Sequence, residues 1–227
     1  MRIHTIQSSH AWQAFQQRGF LRCDAKSVWG EHKAAYDWMR SQMAKRIPGY
    51  GGGYPIWAWY QPREDLRSWR HQWKEPSVLL IVEVPEERVL LSDFDAWHMV
   101  LNTGYLPLTE EESDYYENHV LPPGRYADMP RQYQATVETS WERIFDLEAL
   151  SRSPLWTVEG QDPYIQACIE YIEMTEIVKA KPFNLASLNI DRPQVRIAES
   201  QRVLDAQPSG LHAGSPRRGK SQQRGND

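Results

Sequence analysis

The stretch "SVLLIVEVP", residues 77–85, sets the frame for the whole chain. Eight residues, Ser77 to Val84, follow Pro76 with almost no polar interruption, and Pro85 closes the run. A short, nearly continuous apolar run of this kind reads as a strand buried on both faces, and it is predicted to be the centre of a sheet. Moving forward, "ERVLL" (87–91) reads as a further short strand. Ser92 or Asp93 then caps a helix, "DFDAWHMVLN", in which Phe94, Trp97 and Leu101 share one stripe and Asn102 and Gly104 are C-terminal stops. Moving back, "YPIWAWY" (54–60) is predicted as a strand. Period two places Tyr54, Ile56, Ala58 and Tyr60 on one face, with Pro55, Trp57 and Trp59 on the other. Before it, "GYGGG" (49–53) follows Pro48-Gly49, which ends a helix over 32–47 whose stripe is Ala35, Trp38, Met39 and Met43. Residues 61–76, with Arg63, Arg67, Arg70, His71 and Lys74, form a basic, aromatic connection.

The ends of the chain complete the pattern. "RIHTIQ" (2–7) alternates as a short strand, Ser8 or Ser9 caps a helix over 10–18, and Gly19 closes that helix as a left-handed residue. "FLRCD" reads as a second strand. Thr109 and Glu112 form a capping box at the head of an acidic helix. Two amphipathic helices are predicted over 131–147 and 163–180, the second capped by Asp162 and burying Ile165, Ile169, Ile172 and Ile177. "FNLASLNI" (183–190) reads as a last strand. With strands in the first half and helices in the second, the fold class is α+β: a small twisted, mainly antiparallel sheet packed with four or five helices.

Composition sets the unit and its surroundings. The chain has 227 residues, 41% hydrophobic and 25% charged, enough for a sizeable core under a polar surface. All ten tryptophans fall between Trp12 and Trp156. One domain is therefore expected over residues 1–200, with 201–227 as a disordered basic tail. The tail stretch 206–227 carries Arg217, Arg218, Lys220 and Arg224 against Asp227. Subtracting that +3 from the net charge of −4 leaves −7 on the body. An acidic body argues against a broad nucleic-acid face, leaving only weak contact by the tail. No apolar run is long enough for a membrane span, and the N-terminus lacks a signal peptide's apolar segment. Cys23 and Cys168 fit no metal or redox spacing, so a cytoplasmic setting is expected.

Standard catalytic and nucleotide motifs are absent: there is no G-x-x-x-x-G-K-[ST], G-x-G-x-x-G, H-E-x-x-H or G-x-S-x-G. "GYGGG" lacks the lysine and the following helix of a phosphate loop, so its glycines are read as a sharp helix-to-strand reversal rather than an anion cradle. "SDFDAWH" (92–98) is the richest acidic stretch. Asp93 and Asp95 open a helix that follows a strand, and His98 lies on the face of Asp95. This spacing suits a divalent metal as well as a helix cap; capping alone explains Asp93, and no metal is assigned. His4-Thr5 on the first strand matches the nicotinamide-holding strand of ADP-ribosyltransferase folds. That resemblance implies Thr5, a pocket tyrosine and Glu83 as the candidate catalytic participants, with NAD as the cofactor. Finally, flat rings suit flat partners. Tyr36, Tyr54, Trp57, Trp59 and Trp97, with Asp93, Asp95, His98 and Asn102, are the candidate ligand-binding set, though most of the ten tryptophans are expected in the core.

Several blocks taken together carry a family resemblance: "IHTIQ…AWQAFQQRGFL", "AAYDWMRSQM", "YPIWAWYQP", "VLLSDFDAWHMVLN" and "SWERIFDL". They resemble the bacterial family of domain of unknown function 3841 over roughly residues 1–185. The match rests on Tyr36, Asp37, Trp38, Met39, Tyr54, Pro55, Trp57, Trp59, Asp93, Asp95, Trp97 and Asn102. The resemblance gives none of them a catalytic role. The functional expectation is a protein binding a small, flat, polar, nucleotide-like ligand between the Trp57/Trp59 strand face and the Asp93 helix. The alternatives are an ADP-ribosyltransferase-like enzyme using NAD, and an interaction module of a toxin–antitoxin or phage-linked system.

Overall fold

The computed structural model describes residues 1–28, 30–68, 75–157 and 163–184. Eight strands occur in it: β1 (Arg2–Ser8), β2 (Phe20–Arg22), β3 (Ile56–Tyr60), β4 (Ser77–Glu83), β5 (Leu90–Asp93), β6 (Ile165–Ile169), β7 (Tyr171–Glu173) and β8 (Ile177–Phe183). Six α-helices accompany them: α1 (Ser9–Arg18), α2 (Lys33–Arg46), α3 (Phe94–Leu101), α4 (Glu110–Tyr115), α5 (Arg131–Trp141) and α6 (Leu147–Arg152). The main sheet is antiparallel throughout, in the order β5-β6-β3-β1-β4-β8, and β2 pairs with β7 in a separate ribbon. The class is α+β, in a single unit, as the residue pattern implies.

Local chemistry explains most of the boundaries. Ser8 accepts the Ala11 N–H at 3.1 Å and caps α1, and Gly19 at φ 81° ends it. Asp93 accepts the Ala96 N–H at 2.8 Å and caps α3. The predicted helix over 131–147 is divided: α5 ends at Trp141, a 3-10 turn follows, and Asp146 caps α6 through the Ala149 N–H at 2.9 Å. The predicted strand at 87–91 starts later, at Leu90, after a 3-10 turn over Glu86–Arg88.

Three expectations need correction. Residues 163–180 are not a helix but the strands β6 and β7 and the start of β8. Ile165, Ile169, Ile172 and Ile177 have helical spacing, but β6 gains a full ladder on both sides by entering between β5 and β3, and β-branched residues suit that buried pleat. Strands therefore do not cluster in the first half. Nor is β4 the middle strand: it is interior, but β8 covers its outer side and β1 and β3 hold the centre. The Asp162 cap, Arg70, His71, Lys74, the strand predicted beyond Asn184, the boundary at 200 and the basic tail all lie outside the described residues.

Both faces of the sheet are covered. On one, Ile3, Ile56, Ala58, Val78, Leu80, Val82, Ala167 and Ile169 pack with Phe15 of α1. On the other, Trp57 and Cys168 pack with Met39, Met43, Trp97 and Leu101 of α2 and α3, while Ile6, Leu79 and Trp59 pack with Phe94. This second face carries α3 and, with it, the acidic stretch. Among the described residues, no helix is long and apolar enough to cross a membrane.

Candidate functional site

The aromatic candidates close against one another. Trp57, Trp97 and Tyr36 are nearly inaccessible, with Trp57–Trp97 centroids 4.7 Å apart and Tyr36 edge-on to both at 6.0 and 5.9 Å. Trp59 packs against Phe94 at 4.8 Å. The space between the β3 face and α3, where a pocket was expected, is filled by Trp97 and Phe94. These rings act as core, and edge-to-face pairs of this kind add to their area burial. The Trp57 indole N–H has no hydrogen-bond partner among the described residues, an unusual feature for so buried a group.

Tyr54, which period two places on the face away from Trp57, instead packs in the same cluster as Tyr36, Trp57 and Trp97, because it precedes the strand that begins at Ile56. Its hydroxyl donates to Asp37 at 2.7 Å, and the Arg40 guanidinium lies 4.4 Å above its ring. Asp37 also pairs with Lys33 and Arg40, and these contacts outweigh the opposing effect of burial and hold its carboxyl below the ordinary range.

Thr5 and Glu83 are not brought together. Thr5 donates to the Trp57 carbonyl at 2.9 Å and accepts from Gln7 at 2.9 Å, inside the core. Thr5 pairs with Leu80 and Arg2 with Glu83, so Glu83 stands three residues along β4 from Leu80 and points to the opposite face. There it is exposed and bonded to Arg2 at 3.2 Å. A shared ligand does not touch both side chains.

The acidic stretch supplies the remaining geometry. Asp93 is 2% exposed and capped onto the Ala96 N–H. Burial pushes its carboxyl up to about 6, the Asp95 charge adds to the rise, and the Ala96 and Asp95 N–H groups oppose it. Asp95, in the first turn of α3 and half-buried, is also raised by burial, with partial opposition from His98 and Arg63. No donor reaches its carboxylate among the described residues. His98 places Nδ1 2.9 Å from the Phe94 carbonyl and its ring edge-on to Phe94 at 4.6 Å. Asn102 caps the other end of α3: its backbone and side-chain N–H groups both donate to the His98 carbonyl, at 3.0 and 2.8 Å, and it faces away from the acidic end.

Two residues that pattern reading did not single out complete this rim. The Arg63 guanidinium lies 4.1 Å above the Tyr164 ring, and Tyr164 is 6.0 Å from Trp59. The Tyr164 carbonyl accepts the Phe94 N–H at 2.8 Å, which fixes the entry of β6 beside the start of α3. In the sequence Arg63 is one of several arginines in a connection and the pattern puts Tyr164 in a helix, so nothing there places them near the start of α3. Behind the rim, Gln166 donates to Ser92 at 3.1 Å in the interior. Arg63 forms no ion pair among the described residues, although it lies within electrostatic reach of Asp95. Among the described residues no group of three or more His, Cys, Asp or Glu side chains is placed to hold a metal ion.

The family model described as Domain of unknown function (DUF3841) matches residues 2–177. The chain belongs to this family. The DUF3841 match takes in β1 through the start of β8, including Asp93, Asp95, His98, Arg63 and Tyr164. No curated protein and no solved structure gives a significant match to the chain.

Proposed function

We propose that this DUF3841 domain binds a small, polar, nucleotide-like ligand at the rim formed by Asp95, His98, Arg63 and Tyr164. The observation that carries the reading is Asp95. Its carboxylate is half-buried, its charge is opposed by burial, and it receives no hydrogen bond among the described residues. Burying a charged group without donors is unfavourable, so such a carboxylate favours hydroxyl or amino donors supplied from outside. Arg63, which lies above the Tyr164 ring within electrostatic reach of Asp95, forms no ion pair among the described residues and suits a phosphate or carboxylate. Tyr164 supplies an aromatic wall for a flat ring. Asp93, in contrast, is engaged as a cap and acts by holding the head of α3 in place.

The test is a thermal-shift screen with nucleoside monophosphates, NAD, free nucleosides and magnesium or manganese on the wild type, Asp95→Asn and Arg63→Met. A ligand present at about 100 times its dissociation constant stabilises the folded state by about 2.7 kcal/mol. At least one nucleotide is expected to raise the melting temperature of the wild type, with the effect lost in both variants. No shift with any probe, or an equal shift in Asp95→Asn, would remove the reading. The free thiols of Cys23 and Cys168 support a reducing, cytoplasmic setting for this binding.

A further inference from the structure

The glycine loop before β3 does hold an anion, contrary to its reading as a plain reversal. Glu170, at the corner between β6 and β7, is 6% exposed. Its two oxygens are shared between backbone donors 119 and 117 residues away: the Gly51 N–H reaches Oε2 at 2.8 Å and the Gly53 N–H reaches Oε1 at 3.0 Å. No cation forms an ion pair with it among the described residues.

The intervening peptide faces the other way. Gly52, at φ 91°, turns its carbonyl outward, where Arg40 donates to it through Nε at 3.0 Å and Nη2 at 2.7 Å. The Tyr50 hydroxyl donates to the Gly53 carbonyl. Arg40 and Tyr50 thus hold the carbonyls so that two N–H groups converge inward, the arrangement of a backbone anion nest. A side chain at either glycine would crowd the carboxylate and force it to shift: a Cβ on Gly51 would lie 2.9 Å from Oε1 of Glu170, and one on Gly53 would lie 3.0 Å from its Cγ.

We propose that residues 51–53 form a binding site for a carboxylate-sized oxyanion, occupied in this chain by Glu170 as a tethered internal ligand that latches the loop to the β6–β7 corner. A buried carboxylate without a cation is tolerated only where donors are already arranged for it, which is what Arg40 and Tyr50 secure. Tethering gives Glu170 a high effective concentration at the nest, so free anions do not displace it from the intact protein. Once the side chain is removed, a small carboxylate from solution takes its place.

The test is chemical rescue. Glu170→Ala is unfolded thermally in formate or acetate and, at the same ionic strength, in chloride. Formate is expected to restore at least half of the lost melting temperature, saturably. The wild type should respond to formate no more than to chloride. The double variant Glu170→Ala, Gly51→Ala, with a methyl group in the nest, should not recover. A formate response in Glu170→Ala no larger than the chloride response, or equal recovery in the double variant, would overturn the assignment. If the alanine variant does not fold, the isosteric Glu170→Gln keeps the proposal testable. Its Gly51 and Gly53 amide protons should shift in NMR spectra and exchange faster with solvent. Unchanged resonances at both glycines would equally overturn it.

Discussion

Replacing Asp93 with asparagine is expected to stabilise the protein at neutral pH, although the side chain caps a helix. The cap needs one acceptor oxygen, which the Ala96 N–H reaches at 2.8 Å, and an amide oxygen serves the same purpose. The charge is a different matter. Burial pushes the Asp93 carboxyl up to about 6 from an ordinary value of 3.8. At about 1.4 kcal/mol per pH unit, a difference of roughly two units corresponds to about 3 kcal/mol. The sign follows from proton binding: between these two values the folded state holds the proton more tightly than the unfolded chain. Stability from this group is therefore complete below about pH 4 and is lost as pH rises through about 6. Urea unfolding, followed by tryptophan fluorescence across that range, measures it directly. Asp93→Asn should match the wild type near pH 4 and exceed it by about 3 kcal/mol near pH 8. A difference that does not change with pH, or a variant weaker by more than about 1 kcal/mol near pH 8, would refute the reasoning.

Three further outcomes follow from the packing. Trp97 is 1% exposed between Trp57 and Tyr36, so Trp97→Ala should lower the unfolding free energy by about 3–5 kcal/mol, and a loss under about 1 kcal/mol would show that the cluster is not closed. Glu112 accepts from both terminal nitrogens of Arg143 at 2.9 and 2.7 Å, from Tyr105 at 2.7 Å and from the Leu108 N–H at 2.8 Å. Burial opposes its charge, but these donors outweigh burial and hold the carboxyl below its ordinary 4.5. Glu112→Gln should therefore lose about 2–3 kcal/mol near neutral pH, and the gap should narrow as pH falls below the ordinary value; a constant gap would argue against the charge contribution. Burial, with a smaller contribution from Asp24, pushes the Cys23 thiol up to about 12, and Cys168 is enclosed in the core. Cys168 should not react with a disulfide reagent near pH 8 until denaturant is added, and the partly exposed Cys23 should react more slowly than a free thiol; labelling of native Cys23 at a free-thiol rate would contradict this.

The fold was legible wherever a local rule decides the local structure. Ser8, Gly19 and Asp93 mark helix ends through bonds made within a few residues, and the alternation of "IWAWY" correctly divides Ile56 and Ala58 from Trp57 and Trp59. Reading failed where a distant partner decides. Ile165 through Ile177 are spaced like a helix face, and only the open ladder positions on β5 and β3 select strand. The candidate site divides in the same way. Asp93, Asp95 and His98 stand out as an acidic helix start, whereas Arg63 and Tyr164 join them only because β6 enters beside α3. The loop "GYGGG" shows glycines without showing their cause, since Glu170 lies more than a hundred residues away.

The most direct measurement of the central claim is amide chemical-shift mapping of the 227-residue chain titrated with a nucleoside monophosphate. Asp95 is expected to accept from the ligand and Arg63 to bind its phosphate beside Tyr164. Saturable shifts should therefore cluster at residues 95–98, Arg63 and Tyr164, leave Gly51 and Gly53 unmoved, and disappear in Asp95→Asn. The account is contradicted if no resonance saturates, or if the shifted amides gather elsewhere on the fold.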